Sequence, residues 1–92
     1  MDEIKIEKNP SPERLRDMGV LEWPIWTKEA STFPWTYDGA ETCYFLEGDV
    51  IVTPAGGESI RVGKGDLVTF PDGMSCTWEV RKAVRKHFTF DL

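Results

Sequence analysis

Histidine is nearly absent from this chain: His87 stands alone, beside two cysteines, in 92 residues. Neither Cys43 nor Cys76 belongs to a CxxC pair, and no set of histidines is available to complete a zinc site. Long apolar runs are missing too. No stretch approaches the ~18 apolar residues of a membrane span, and Met1-Asp2-Glu3-Ile4-Lys5 carries no apolar signal core. Basic residues are the minority, 11 Lys and Arg against 16 Asp and Glu, for a net charge of −5. This balance argues against a nucleic-acid groove, which needs Lys and Arg in excess on one face. The one basic cluster, Arg81, Lys82, Arg85 and Lys86, reads as a solvated strand edge. The expectation is a cytoplasmic protein with reduced thiols and neither a membrane nor a nucleic-acid partner.

What the chain does have is large rings. Aromatics make up 12% of it, with four Trp and five Phe. Residues 1–92 are the size of one domain, and rings of this area help so small a core reach stability without disulfides. Ile4 and Ile6 alternate with Lys5 and Glu7, which predicts a short first strand. Ser11 is placed to cap a helix starting at Pro12, and Gly19 is placed to end it after Met18. From Trp23 onward the helical period disappears. Runs rich in Val, Ile, Thr, Phe, Tyr and Trp predict strands near 25–30, 33–37, 41–47, 49–54, 58–62, 67–70, 74–80 and 84–90. The turn signals between them include Glu47-Gly48-Asp49, read as a tight hairpin, and Pro71-Asp72-Gly73. The fold class is all-β and antiparallel, with one short N-terminal helix.

Two blocks carry a resemblance. The first is Glu41-Thr42-Cys43-Tyr44-Phe45-Leu46-Glu47-Gly48, preceded by Trp35-Thr36-Tyr37; the second runs from Gly65-Asp66 through Pro71-Asp72-Gly73 to Cys76. Their spacing resembles the two motifs of cupins, with Glu41, Gly48, Gly65, Pro71 and Gly73 in register. The resemblance implies a double-stranded β-helix, the jelly-roll cupin barrel. Glu22-Trp23-Pro24-Ile25-Trp26 and Arg85-Lys86-His87-Phe88 extend it to small single-domain cupins related to the cupin domain of (S)-ureidoglycine aminohydrolase. Metal cupins hold their ion with three His and one Glu. Carried over, those positions fall on Trp35, Tyr37, Glu41 and Cys76. An indole nitrogen is a donor only, and Glu41 with Cys76 is a poor mixed set, so neither a metal in the usual position nor another cofactor is expected.

The motif positions and strand alternation together place Trp35, Tyr37, Glu41, Cys76 and Trp78 in the barrel interior as a ligand pocket. Cys43 and Trp78 also suit plain core. Glu41 on an inward face must be paired, hydrogen-bonded or protonated, with Tyr37 or a basic side chain as its partner. Glu41 and Cys76 are the weak candidates for catalysis. His87, opposite Phe88 and Phe90 in parity, reads as structural or surface; a Cys76–His87 pair would require neighbouring strands. Three readings follow. The first is a metal-free cupin binding a small molecule. The second is an enzyme of ureide, amide or isomerase type using Glu41 and Cys76. The third is a structural module. The edge at Ile4-Lys5-Ile6 and the resemblance together suggest a homodimer.

Overall fold

The computed structural model describes residues 3–90. The first strand, β1 (Lys5–Lys8), leads into the helix α1 (Pro12–Met18), both where the sequence predicts them. The Ser11 hydroxyl accepts the Arg14 amide at 3.1 Å, and Gly19 closes the helix in the left-handed region at φ 72°. The remaining strands are β2 (Ile25–Lys28), β3 (Ser31–Thr36), β4 (Glu41–Pro54), β5 (Ile60–Gly63), β6 (Asp66–Phe70) and β7 (Ser75–Phe90). Every pairing is antiparallel. No helix among the described residues is long and apolar enough to cross a membrane.

β4 and β7, the two longest strands, organise the one seven-stranded sheet by pairing with each other along most of their length. The first half of β4 and the last half of β7, with β1, β6 and β2, give the order β1-β6-β4-β7-β2; the last half of β4 carries β5 and the first half of β7 carries β3. Two expectations are corrected here. The runs 41–47 and 49–54 are one strand, as are 74–80 and 84–90. Gly48 makes no hairpin. It sits at φ 126° where the β4–β7 register shifts between Phe45 and Val50, so its role is in a bulge. A Cβ at Gly48 would lie 2.9 Å from Val84 Cγ2 and 3.0 Å from Val84 Cα, so the close approach of β7 also requires glycine. The bulge bends the strand pair, with β6 and β2 flanking it on one side of the bend and β5 and β3 on the other.

The core fills the interior of the barrel. Phe45, Phe70, Val50, Val52, Val62, Val68, Val84 and Cys43 are fully buried there. Trp78 is the hub of its rings, 5.9 Å from Trp26, 6.0 Å from Phe33 and 5.7 Å from Phe70 between centroids. Leu15, Val20, Leu67 and His87 are buried as well but stand outside this cluster, and strand parity turns Leu67 and His87 to the other face of the sheet. His87 is therefore neither in the barrel nor at the surface. Its Nδ1–H donates to the Trp23 carbonyl at 2.8 Å, which ties β7 to the segment entering β2.

Candidate functional site

The site lies at the end of the barrel where β4 begins. Glu41, the first residue of β4, pairs with Phe70 on one side and Phe90 on the other, and alternation turns Glu41, Cys43 and Phe45 inward. On β7 the same parity turns Lys86, Phe88 and Phe90 toward the same space. Lys86 lies opposite Phe45 and Trp26, and its long side chain runs past Cys43 to Glu41. Tyr37 is held by its backbone. Its N–H donates to the Met74 carbonyl and its carbonyl accepts the Gly73 amide, both at 2.9 Å, so the turn Pro71-Asp72-Gly73 fixes the segment between β3 and β4.

The result is a cavity of about 220 Å³. Trp26, Trp35, Phe88 and Phe90 form its walls, with Tyr37, Trp78, Glu41 and Lys86 completing the lining. Trp35 and Phe90 remain 45% and 49% exposed, so they also present apolar surface to solvent. Four of the five residues expected from sequence line this space. Cys76 is buried but is not among the lining residues, and its thiol points toward the Trp35 carbonyl at 3.6 Å. Cys76 and His87 lie on the same strand, eleven positions apart, and do not meet: Cys76 pairs with Trp35 and Pro54, His87 with Ile25 and Tyr44.

Four lining residues escaped the sequence reading: Trp26, Lys86, Phe88 and Phe90. Lys86 is the one that changes the chemistry. It is 4% exposed, which corrects its assignment to a solvated edge; Arg81, Lys82 and Arg85 are exposed as expected. Its Nζ donates to Glu41 Oε2 at 2.9 Å and to Cys43 Sγ at 3.1 Å, while the Cys43 thiol donates to the same Glu41 oxygen at 3.0 Å. The ammonium also sits 4.8 Å from the Trp26 ring centroid and 4.7 Å from that of Trp78. Rings at this distance offer their negative faces to the charge. Burial pushes the Cys43 thiol well above the usual range despite the opposing pull of Lys86, so it remains a thiol. Burial raises Cys76 too.

Two polar atoms lack partners. The Tyr37 hydroxyl and the Trp78 indole N–H are buried, and neither has a hydrogen bond among the described residues. The indole N–H lies close enough to the Tyr37 and Cys76 side chains to work against the rise in their pKa values, though outside strict hydrogen-bond geometry with either. Burial dominates Tyr37 and, with the acidic groups of Cys43, Glu41 and Cys76, drives its pKa far above that of free tyrosine.

Residues 15–88 match the EutQ-like cupin domain family. The chain belongs to that family. The cupin is similar to a DUF861 family protein of Thermotoga maritima, with 53% identity over 97% of this chain and 100% of that one and a TM-score of 0.93. It is also similar to a putative ethanolamine utilization protein Q of Salmonella typhimurium, at 28% identity over 70% of this chain and 51% of that one, with a TM-score of 0.62. The EutQ protein of Clostridium difficile shares the fold, at 22% identity over 70% and 50% of the two chains and a TM-score of 0.62. The match therefore spans about half the length of these two EutQ proteins. No curated protein matches the cupin.

Metal-binding cupins raise the question of an ion at Trp35, Tyr37, Glu41 and Cys76, and these residues do not fit one. Glu41 is engaged by an ammonium, Tyr37 is held as a phenol, Trp35 has no lone pair to give, and the Cys76 thiol points to a carbonyl. Among the described residues no three His, Cys, Asp or Glu side chains converge.

Proposed function

We propose that this cupin binds a small organic molecule in the barrel cavity, with the Glu41–Lys86 pair occupying the polar base that a metal centre supplies in other cupins. The observation that carries the reading is the lining: aromatic walls around a buried ion pair, with two unpartnered polar atoms alongside. Mostly apolar walls with a few fixed polar groups are the usual composition of a small-molecule site. A sealed core would have little use for the exposed rings of Trp35 and Phe90 beside it.

A ligand that binds only the folded state raises Tm. In a thermal-shift screen of metabolites, the expected result is a compound that raises Tm in the wild type and not in Trp35→Ala. Equal shifts in both proteins, or no shift from any compound, would remove the reading. Elemental analysis of protein purified without chelator is expected to give sub-stoichiometric metal, unchanged by Glu41→Gln. Stoichiometric metal lost on that substitution would instead support a metal centre.

Ureide or amide hydrolysis, by analogy with the aminohydrolase cupin domain, is less well supported. That chemistry rests on a bound ion in the related family, and the residues here do not fit one. A metal-independent enzyme using Glu41 and Cys76 lacks the required geometry, because Cys76 is not among the residues lining the cavity.

A further inference from the structure

One side chain in the cavity lining is a nucleophile, and binding alone makes no use of it. Apart from Glu41 and Lys86 the lining consists of rings, and the one phenol among them, Tyr37, keeps its proton. Lys86 brings a primary amine. Its side chain starts deep in the barrel and ends near the mouth. The backbone of Lys86 lies opposite Phe45, while Nζ reaches Glu41, two inward positions closer to the end where β4 begins. Phe90, half exposed, lies opposite Glu41 at that end. The amine is thus the part of the side chain nearest the opening, and Trp26 and Trp78, whose ring centroids lie 4.8 and 4.7 Å from it, line the cavity too. Lys5, Lys8, Lys28, Lys64 and Lys82 are all exposed, so Lys86 is the lysine in apolar surroundings.

A buried lysine becomes a nucleophile once a neighbour takes its proton. Glu41 Oε2 is 2.9 Å from Nζ, and moving one proton along that contact turns two ions into an amine and a carboxylic acid. Neutral groups suit apolar walls better than charged ones. The Cys43 thiol does not compete, because it is outside the lining and burial keeps its proton on. What such an amine takes up without oxidant or reductant is a carbonyl. The amine nitrogen adds to the carbonyl carbon, and the oxygen receives the proton that Glu41 holds. Glu41 then takes a second proton from the nitrogen and gives it to the new hydroxyl. That group leaves as water while the nitrogen lone pair closes the C=N bond. One water is lost, nothing is oxidised or reduced, and the charges end as they began. The iminium keeps the carboxylate and the two ring faces that held the ammonium. An apolar cavity of about 150 Å³ takes benzene. The space here, about 220 Å³, leaves room for such a ring with a formyl group on it.

Resting on the binding reading above, we propose that Lys86 captures a small aldehyde in the cavity as an imine, with Glu41 carrying the protons. The test uses the full, unaltered chain, so it does not depend on a variant of the buried pair folding. Benzaldehyde is the probe, and cyanoborohydride reduces each imine to a stable benzylamine, which marks the lysine that formed it. Peptide mapping over time is expected to show Lys86 marked at least about tenfold faster than any of the five exposed lysines. Its rate is expected to saturate with benzaldehyde, as a site that binds before it reacts requires, while the exposed lysines respond linearly. Benzyl alcohol has the same ring and an oxygen but no carbonyl. In excess it is expected to slow the marking of Lys86 and to leave the exposed lysines unchanged. Lys86 left unmarked, or marked no faster than the exposed lysines, would overturn the inference. A Trp35-dependent thermal shift in the metabolite screen would in that case still support the binding reading. A linear rate at Lys86, or indifference to benzyl alcohol, would show that the aldehyde is not held in the cavity before it reacts, and would overturn the inference as well.

Discussion

Lys86 decides the character of this barrel, and its cost and benefit are measurable. A buried ion pair is weak support for stability as a whole, but removing one partner strands the other charge. Lys86→Met alone and Glu41→Leu alone are each expected to lower stability by about 3–5 kcal/mol in urea denaturation. The double variant Glu41→Leu/Lys86→Met is expected to lose far less than the sum, with a coupling of at least about 2 kcal/mol. Additive losses would mean that the 2.9 Å contact carries no energy. Lys86 was legible in part: it shares parity with Phe88 and Phe90, so any reading that placed those rings inside placed Lys86 with them. The rule that charged side chains stay in water outweighed that parity. The rule fails here because Glu41, 45 positions away, supplies the counter-charge, and no local pattern announces such a partner. Cys43 leads to a second expectation. In the folded state it keeps its proton; the unfolded chain releases it above the free thiol value of ~8.5. Above that pH the unfolded state binds fewer protons, so stability falls as pH rises, by up to about 1.4 kcal/mol per unit for this group. Tyr37, also raised, adds to the fall above ~10. Urea midpoints are expected to be level from neutral pH to about 8 and then to decline, with a shallower first decline in Cys43→Ala. An unchanged decline in Cys43→Ala would remove Cys43 as its source.

At the scale of elements, the local signals were read well where structure is local. The Ser11 cap, Pro12 start and Gly19 stop define α1 without reference to anything else. They failed where pairing is distant. Glu47-Gly48-Asp49 between two apolar runs has the composition of a hairpin, yet both runs pair with β7, and that shared partner keeps the chain in one strand through the bulge at Gly48. The same holds for Arg81-Lys82-Ala83, a polar break in sequence that β7 crosses as strand. Substitution distinguishes a bulge glycine from a turn glycine. Gly48→Ala adds a Cβ into Val84 at a φ of 126°, and is expected to cost about 2–5 kcal/mol. Gly56→Ala, at φ 73° with open space around it, is expected to cost only about 1–2 kcal/mol for its backbone. Equal losses at the two positions would show that the approach of Val84 does not matter. The cavity inherits this logic. Its motif positions were legible because the cupin spacing marks them, whereas Trp26, Phe88 and Phe90 reach it only through the β2–β7 and β4–β7 registers.

On the scale of the whole molecule, the sheet order leaves β1 at one end, paired to β6 alone. Its charged side chains are largely occupied within the chain: Lys8 holds Asp66 at 3.0 Å and Glu7 holds Arg14 at 3.1 Å. Ile6, next to Glu7 on the same strand, remains exposed. We propose that two copies pair β1 to β1 about a two-fold axis, which continues the sheet and covers Ile6 on both sides. Sedimentation at micromolar concentration is expected to show a dimer for the wild type and a monomer for Ile6→Glu, which sets like charges near the axis. A wild-type monomer would dismiss the pairing. This assembly has a consequence for the site. No residue of β1 lines the cavity, whose walls come from β2, β3, β4, β7 and the segment carrying Tyr37. Association and ligand binding are therefore expected to be independent: Ile6→Glu should show the same thermal shift as the wild type with a compound found in the metabolite screen, and Trp35→Ala should lose that shift while sedimenting as the wild type does. Affinity that follows the oligomeric state would instead place the partner chain at the mouth of the barrel, and would require the β1 pairing to be replaced by one through Trp35 and Phe90.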